Sequence, residues 1–149
     1  MMLRWLLASF HLLALGVGLG AVWVRGRALR GPLGPEGLRR VFLADMVWGL
    51  AALLWISTGL WRLLGGTEKP TNYYLHNHAF MAKMGLLLLI LLLELRPMIT
   101  FIRWRTRVGR GELPDTRPAP VLARISFLQA GIVVLMVFAA TAMARGLHD

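Results

Sequence analysis

The sequence predicts an all-α fold, an integral membrane antiparallel four-helix bundle, and three observations carry that prediction. Of the 149 residues 57% are hydrophobic and only 16% charged, against about 45–50% and about 25% in ordinary soluble domains. The apolar residues gather into four runs near the roughly 20 residues that cross a hydrocarbon core of about 30 Å. The basic residues then fall in alternate connections between those runs. Each run is too long for a strand and too apolar all round for the surface helix of a soluble domain.

Taken in order, the first predicted helix covers 3–24. It begins like a secretory signal, with Arg4 ahead of leucines, but exceeds the usual 7–15 residue signal core and is followed rather than preceded by dense arginines. It is therefore read as a retained helix. The second, 41–64, lies between a turn with Gly31-Pro32 and Gly34-Pro35 and a connection with Gly65-Gly66 and Lys69-Pro70. The third, 78–102, holds Pro97, which removes the hydrogen bond to the carbonyl of Leu93 and predicts a kink. The fourth, 120–144, follows Pro114 and Pro118. No soluble domain fits between them, so 1–149 is read as one membrane domain.

Lys and Arg outnumber Asp and Glu 17 to 7, a formal charge of +10. In a soluble chain that surplus would point to nucleic acid. Here Arg25, Arg27, Arg30, Arg39 and Arg40 occupy loop 25–40, and Arg103, Arg105, Arg107, Arg110 and Arg117 occupy loop 103–119. The middle connection has only Arg62 and Lys69. By the positive-inside rule loops 25–40 and 103–119 are cytoplasmic and both termini lie outside. The surplus reports orientation, with membrane lipids, anionic lipid at the basic loops above all, as the expected partners and no nucleic acid. A homo-oligomer or a membrane partner protein is a further expectation. The lack of cysteine excludes disulfides, thiolate zinc sites, iron–sulfur clusters and thiol catalysis.

Ionisable groups at bilayer depth cost about 2.5–3.5 kcal/mol on insertion scales, so each needs a partner or a purpose. They fall into two layers. The outer layer receives His11, His76, His78, Lys83, Ser57, Thr58, Thr141 and Met143; the inner layer receives Arg25, Asp45, Glu94, Arg96, Ser126 and Gln129. On the first helix His11, Gly18 and Arg25 repeat at seven residues, with Ala14 and Ala21 on the same stripe. One reading is close helix packing helped by Gly16 and Gly20, with His11 bonded to a hydroxyl or carbonyl. The other makes His11 an axial haem ligand with room below it for a macrocycle. On the third helix His76, Ala79, Phe80, Lys83, Ile90 and Glu94 share a face, and Lys83 either snorkels outward or serves a ligand. Glu94 expects Arg25 or Arg96 as partner, although Arg96, two residues on, points away. Trp5, Trp61 and Trp104 read as interface anchors, while Trp48 and Trp55 are left between anchoring and walling a cofactor. Gln129, Met136 and Met143 align at sevens, Met143 being a gap filler or a second ligand.

Several blocks resemble one family. Leu3-Arg4-Trp5-Leu6-Leu7 with His11, Ala21-Val22-Trp23, Arg39-Arg40-Val41-Phe42, Trp55-Ile56-Ser57-Thr58-Gly59-Leu60-Trp61-Arg62, Tyr73-Tyr74-Leu75-His76-Asn77-His78, Ala82-Lys83-Met84-Gly85-Leu86, Glu94-Leu95-Arg96-Pro97 and Thr141-Ala142-Met143-Ala144-Arg145 are similar to the bacterial predicted membrane proteins catalogued as domain of unknown function 2214. That resemblance implies the bacterial inner membrane and leaves the activity open. More distantly, His11, Arg25 and Ala82-Lys83 resemble positions of CopD-like proteins, among them HemJ-type protoporphyrinogen oxidases. It implies haem b, with His11 as a metal ligand, His76, His78 or Met143 as the other, and Lys83 and Arg25 near the cofactor. Two other functions stand beside it: a small transporter or proton-coupled carrier using Arg25, Asp45, Glu94 and Arg96 as a charge network, and a structural or assembly subunit without chemistry.

Overall fold

The computed structural model describes the backbone of residues 2–64 and 78–144 and the side chains of 2–61 and 81–141. The described residues form four helices: α1 Met2–Arg30, α2 Pro35–Leu64, α3 His78–Gly109 and α4 Ala119–Ala144. All four are long and apolar enough to cross a membrane. Their outer faces carry large apolar side chains such as Leu12, Leu13, Leu53, Leu88, Leu92 and Phe138. Surface of that kind belongs against lipid tails rather than water.

The helices run further than their apolar stretches predict. Arg25, Arg27 and Arg30 continue α1, Arg39 and Arg40 belong to α2, and Arg103, Arg105 and Arg107 belong to α3. Charge ends the hydrophobic signal but not the helix, because Arg is a good helix former and its long stem leaves the bilayer without breaking backbone hydrogen bonds. The predicted loop 25–40 shrinks to residues 31–34. Pro35 opens α2, and the carbonyl of Gly34 accepts from Leu38 N at 2.9 Å, a first helical position that needs no proline N–H. A Cβ on Gly37 would collide with the Pro32 carbonyl oxygen, so the tightness of this turn depends on that glycine. At the other basic turn Gly111, at φ 78°, ends α3. Glu112 N donates to Arg107 O at 2.9 Å and Gly111 N to Val108 O at 3.0 Å, the paired bonds of a Schellman cap. The helix continues through Pro97, whose ring is fully buried.

α1 packs along both α2 and α4, and α4 packs along α3; α2 and α3 make no such extended contact. The side of α1 turned inward is a stripe in steps of three and four, Leu7, His11, Ala14, Gly18, Ala21, Arg25 and Leu29. Small residues on it let backbones approach, which is what holds helices together where lipid is as apolar as leucine. A Cβ on Gly18 would touch Ala51 and Trp48 at 3.5–3.6 Å. Gly16 and Gly20, expected to help this packing, instead have open space where a Cβ would stand, with nothing within 4 Å. Successive helices alternate in direction: His11, early in α1, meets Thr58, late in α2, while Arg25, late in α1, meets Asp45, early in α2. The core has two apolar clusters. One is built around Trp48, Trp55, Ile90, Val133 and Met136, and the other, nearer the basic turns, around Val41, Phe101, Trp104 and Leu122.

Candidate functional site: a buried arginine shared by four helices

Between those two clusters sits Arg25, with no exposed surface. A guanidinium has five N–H donors in a rigid fork, and all five are used. Nε donates to Ser126 Oγ at 3.0 Å. One terminal nitrogen donates to Asp45 Oδ1 at 2.9 Å and to Glu94 Oε2 at 3.1 Å. The other donates to Glu94 Oε1 at 3.1 Å and to Gln129 Oε1 at 2.6 Å. The partners come from α2, α3 and α4, so one side chain of α1 binds the whole bundle.

The acceptors are satisfied in turn. Glu94 Oε1 also receives Trp48 Nε1 at 3.1 Å and Gln129 Nε2 at 3.0 Å, and Gln129 Nε2 lies 3.2 Å from the carbonyl of Ile90. Ser126 passes its hydroxyl proton to Leu122 O at 3.0 Å. Asp45 is shared between two cations: its second oxygen takes Arg105 at 3.1 Å. Arg105 also donates to the Phe42 carbonyl at 3.2 Å and lies over the Phe42 ring at 5.2 Å. The Arg25 guanidinium lies 5.8 Å from the Trp48 ring centre and 5.5 Å from that of Phe101. With both carboxylates ionised, Arg25, Arg105, Asp45 and Glu94 sum to zero charge, the condition for holding ions at this depth. The carboxylates are the accessible part: Asp45 and Glu94 side chains are 15% and 22% exposed, and Arg105 43%.

The sequence placed Arg25, Asp45, Glu94, Ser126 and Gln129 in one layer, and the structure brings all five together. Arg96 does not join them. It is exposed and makes no ion pair or hydrogen bond among the described residues, because two residues after Glu94 it projects from the opposite side of α3. The second cation is Arg105, eleven residues after Glu94 and therefore three turns along the same face. Trp104, expected as an interface anchor, is buried, with Nε1 donating to Asp115 O at 3.0 Å; Trp5 and Trp61 are exposed as anchors should be.

The opposite layer lies about 21 Å away, the rise over the fourteen residues from Arg25 to His11. His11 is buried, stacked on Trp55 with ring centres 4.8 Å apart, and its Nδ1 lies 2.8 Å from Thr58 Oγ1. The Thr58 hydroxyl spends its one proton on the carbonyls of Leu54 and Trp55, at 2.9 and 3.1 Å. It therefore accepts from His11, which fixes the proton on Nδ1 and makes Nε2 the acceptor atom of the ring. Lys83 Nζ lies 5.1 Å from the centre of the Trp55 ring. His76 lies outside the described residues, as do the side chains of His78 and Met143.

The ring chemistry of His11 suits an axial ligand, but the cavity on the inner side of its layer is small. The cavity between the two layers, lined by Ala14, Gly18, Trp48, Trp55, Ile90 and Met136, measures about 50 Å³, whereas cofactor-sized pockets run to roughly 300–1,000 Å³. This cavity as it stands would not hold a haem, and His76 and the side chains of His78 and Met143, the partners expected for His11, lie outside the described residues.

No curated protein and no solved structure matches the chain. A family model described as "Predicted membrane protein (DUF2214)" matches residues 3–148. The match spans all four helices, both layers of polar residues and the two basic turns, and the chain therefore belongs to that family of predicted membrane proteins.

Proposed function

We propose that this protein is a small proton-coupled carrier of the bacterial inner membrane, gated by the Arg25 network. By the positive-inside rule its basic turns face the cytoplasm and its termini the opposite side. The observation that carries this reading is that one buried guanidinium of α1 holds α2 and α3 through two partly accessible carboxylates, and α4 through Ser126 and Gln129. Protonating Asp45 or Glu94 removes a negative charge from Arg25 and turns an acceptor oxygen into a donor. That loosens the contacts binding α2 and α3 to α1. α2 and α3 lack extended mutual packing and are joined among the described residues by the bonds of Trp48 to Glu94 and of Arg105 to Asp45 and the Phe42 carbonyl, so these are the contacts that yield when the two part. A buried ion pair adds little net stability over an apolar replacement, and intramembrane charges mark ion or substrate pathways more often than they mark glue.

The test is a pH jump applied to proteoliposomes adsorbed on a solid-supported membrane, which records charge displacement without knowledge of the cargo. The expected result is a transient current for the wild type that Asp45→Asn and Glu94→Gln each abolish while the variants stay folded. A wild-type trace equal to that of protein-free liposomes rejects the carrier and favours a structural or assembly subunit. Haem b on His11 is the second reading, favoured by the tautomer that Thr58 fixes. It requires α2 and α3 to separate around the small cavity. An absorption spectrum of haem-replete protein decides it: a Soret band that His11→Ala removes supports it, and a colourless protein dismisses it.

A further inference from the structure

At the basic end, the start of α2 and the end of α3 stand apart and leave an open cleft of about 750 Å³. We propose that this cleft seats one anionic phospholipid, its phosphate held by Arg39 and Arg105 and an acyl chain lying against Phe42, Leu43 and Met46. Three observations converge on that occupant.

The first is unspent hydrogen-bonding capacity. Arg105 uses one terminal nitrogen on Asp45 and on the Phe42 carbonyl. Among the described residues its Nε and other terminal nitrogen have no hydrogen-bond partner, and neither does the Arg39 side chain. Arginine's planar fork matches a phosphate bidentately. The second is the wall. Leu43 and Met46 are exposed, and Phe42 is already covered on one side by Arg105, so the cleft is charged at its rim and apolar within. The third is height. Arg39 lies four residues after the start of α2 and Arg105 four residues before the end of α3, where spans meet headgroups, and Leu43 and Met46 lie about one and two turns further along α2 than Arg39, towards the hydrocarbon. The one carboxylate lining the cleft, Glu112, lies 3.9 Å from Arg107, which offsets its charge. Free phosphate would explain the arginines but not the wall, and a zwitterionic lipid would bring its own cation beside two arginines.

Native mass spectrometry of the full chain, released from micelles holding equal phosphatidylglycerol and phosphatidylcholine, tests the seat. One phosphatidylglycerol is expected to remain bound in preference to phosphatidylcholine. Arg39→Gln and Arg105→Gln should each lower that preference about tenfold or more, the equivalent of one charge-assisted hydrogen bond. Arg103→Gln and Arg110→Gln, outside the cleft, should leave it unchanged. Leu43→Trp should reduce retention by filling the acyl wall while every charge stays in place. The Arg39 side chain has no hydrogen bond or ion pair among the described residues, so its variant reads the site with little disturbance of the fold. Asp45→Asn, which ends the pH transient of the carrier, should keep or tighten lipid binding by freeing Arg105, so the two proposals fail separately. The seat is overturned by equal retention of both lipids, by equal competition from glycerol phosphate, or by a preference indifferent to Arg39 and Arg105. It is overturned as well by a dimer that Leu43→Trp converts to monomers, which would make the cleft an interface between copies.

Discussion

Arg25→Lys keeps the charge of the network and removes its geometry, which makes it the sharpest perturbation of the site. Five hydrogen bonds run from three nitrogens of Arg25 to partners on three helices. A lysine offers three donors from a single point, so at least two of the five are lost. Each buried polar group left without its partner costs about 1–3 kcal/mol. Asp45 and Glu94 are partly accessible and recover some of their solvation, so the expected loss is about 2–4 kcal/mol. Arg25→Gln removes the charge as well and should cost more, about 3–5 kcal/mol, because two carboxylates then face each other without their shared cation. Adding Glu94→Gln to Arg25→Gln relieves that repulsion, and the pair should couple by about 1–3 kcal/mol in the restoring direction. Reversible unfolding in mixed micelles, followed by helix content and completed as a double-mutant cycle, measures all three values. Arg25→Lys within about 0.5 kcal/mol of the wild type, or no coupling between Arg25 and Glu94, would refute the view that one guanidinium clamps the bundle.

The two glycine faces of α1 should respond oppositely. A Cβ on Gly26 would stand 2.8 Å from the Phe127 ring, which also carries Arg30 at 4.7 Å, so Gly26→Ala should destabilise by about 1–3 kcal/mol; Gly20→Ala, with open space around it, should be neutral or slightly stabilising in the same unfolding assay. Thr58→Val keeps the shape but leaves the buried Nδ1–H of His11 without its acceptor, with an expected loss of about 1–3 kcal/mol and a shifted imidazole NMR signal. In the turn after α3, the Arg117 side-chain hydrogen bond holds the Asp115 carboxyl below the ordinary carboxylate range. A depressed pKa means the contact is present above the ordinary value and lost as pH falls through the lowered one. Carboxyl NMR should therefore show Asp115 titrating below its value in Arg117→Gln, with no shift between the two overturning the assignment.

Much of this arrangement is legible in the sequence because a membrane allows few ways to place a charge. Once four spans are counted and their directions alternated, Arg25, Asp45 and Glu94 fall at one depth, and Ser126 and Gln129 with them. The errors have a common cause. Reading the end of the apolar stretch as the end of the helix put Arg105 in a loop, whereas α3 continues to Gly109 and carries it on the face of Glu94. The eleven-residue interval was available as a signal, and so was the two-residue interval that turns Arg96 away. Trp104 was misjudged for the same reason: near a helix end an indole reads as an anchor, but here the Asp115 carbonyl folds back over it. Which of two small-residue faces packs is another matter. Gly16 and Gly20 look like the better motif, yet Gly18 is the glycine that meets α2, because its stripe also carries His11 and Arg25, which have partners to reach.

The same stripe of α1 ties the two polar layers together. His11 and Arg25 are held in the same stripe of α1, and each binds α2, one through Thr58 and the other through Asp45. The ring of Trp55, stacked on His11, and that of Trp48, bonded to Glu94, are seven residues apart on α2 and line the same small cavity. Between the layers α1 and α2 touch through Gly18, Ala51 and Trp48, with no polar group to fix them. A change in the Arg25 network that moves α2 must therefore be taken up at the Trp48–Trp55 wall or transmitted to Thr58. If the wall yields, Glu94→Gln enlarges the cavity and leaves the His11 imidazole signal where it was. If α2 moves as a rigid rod, the same substitution shifts that signal although its site lies about 21 Å away by helical rise. A carrier needs the second behaviour, since access at one end has to depend on the state of the other. The NMR signal of His11 in Glu94→Gln thus separates a clasp that only holds helices together from one that links the two sides of the membrane.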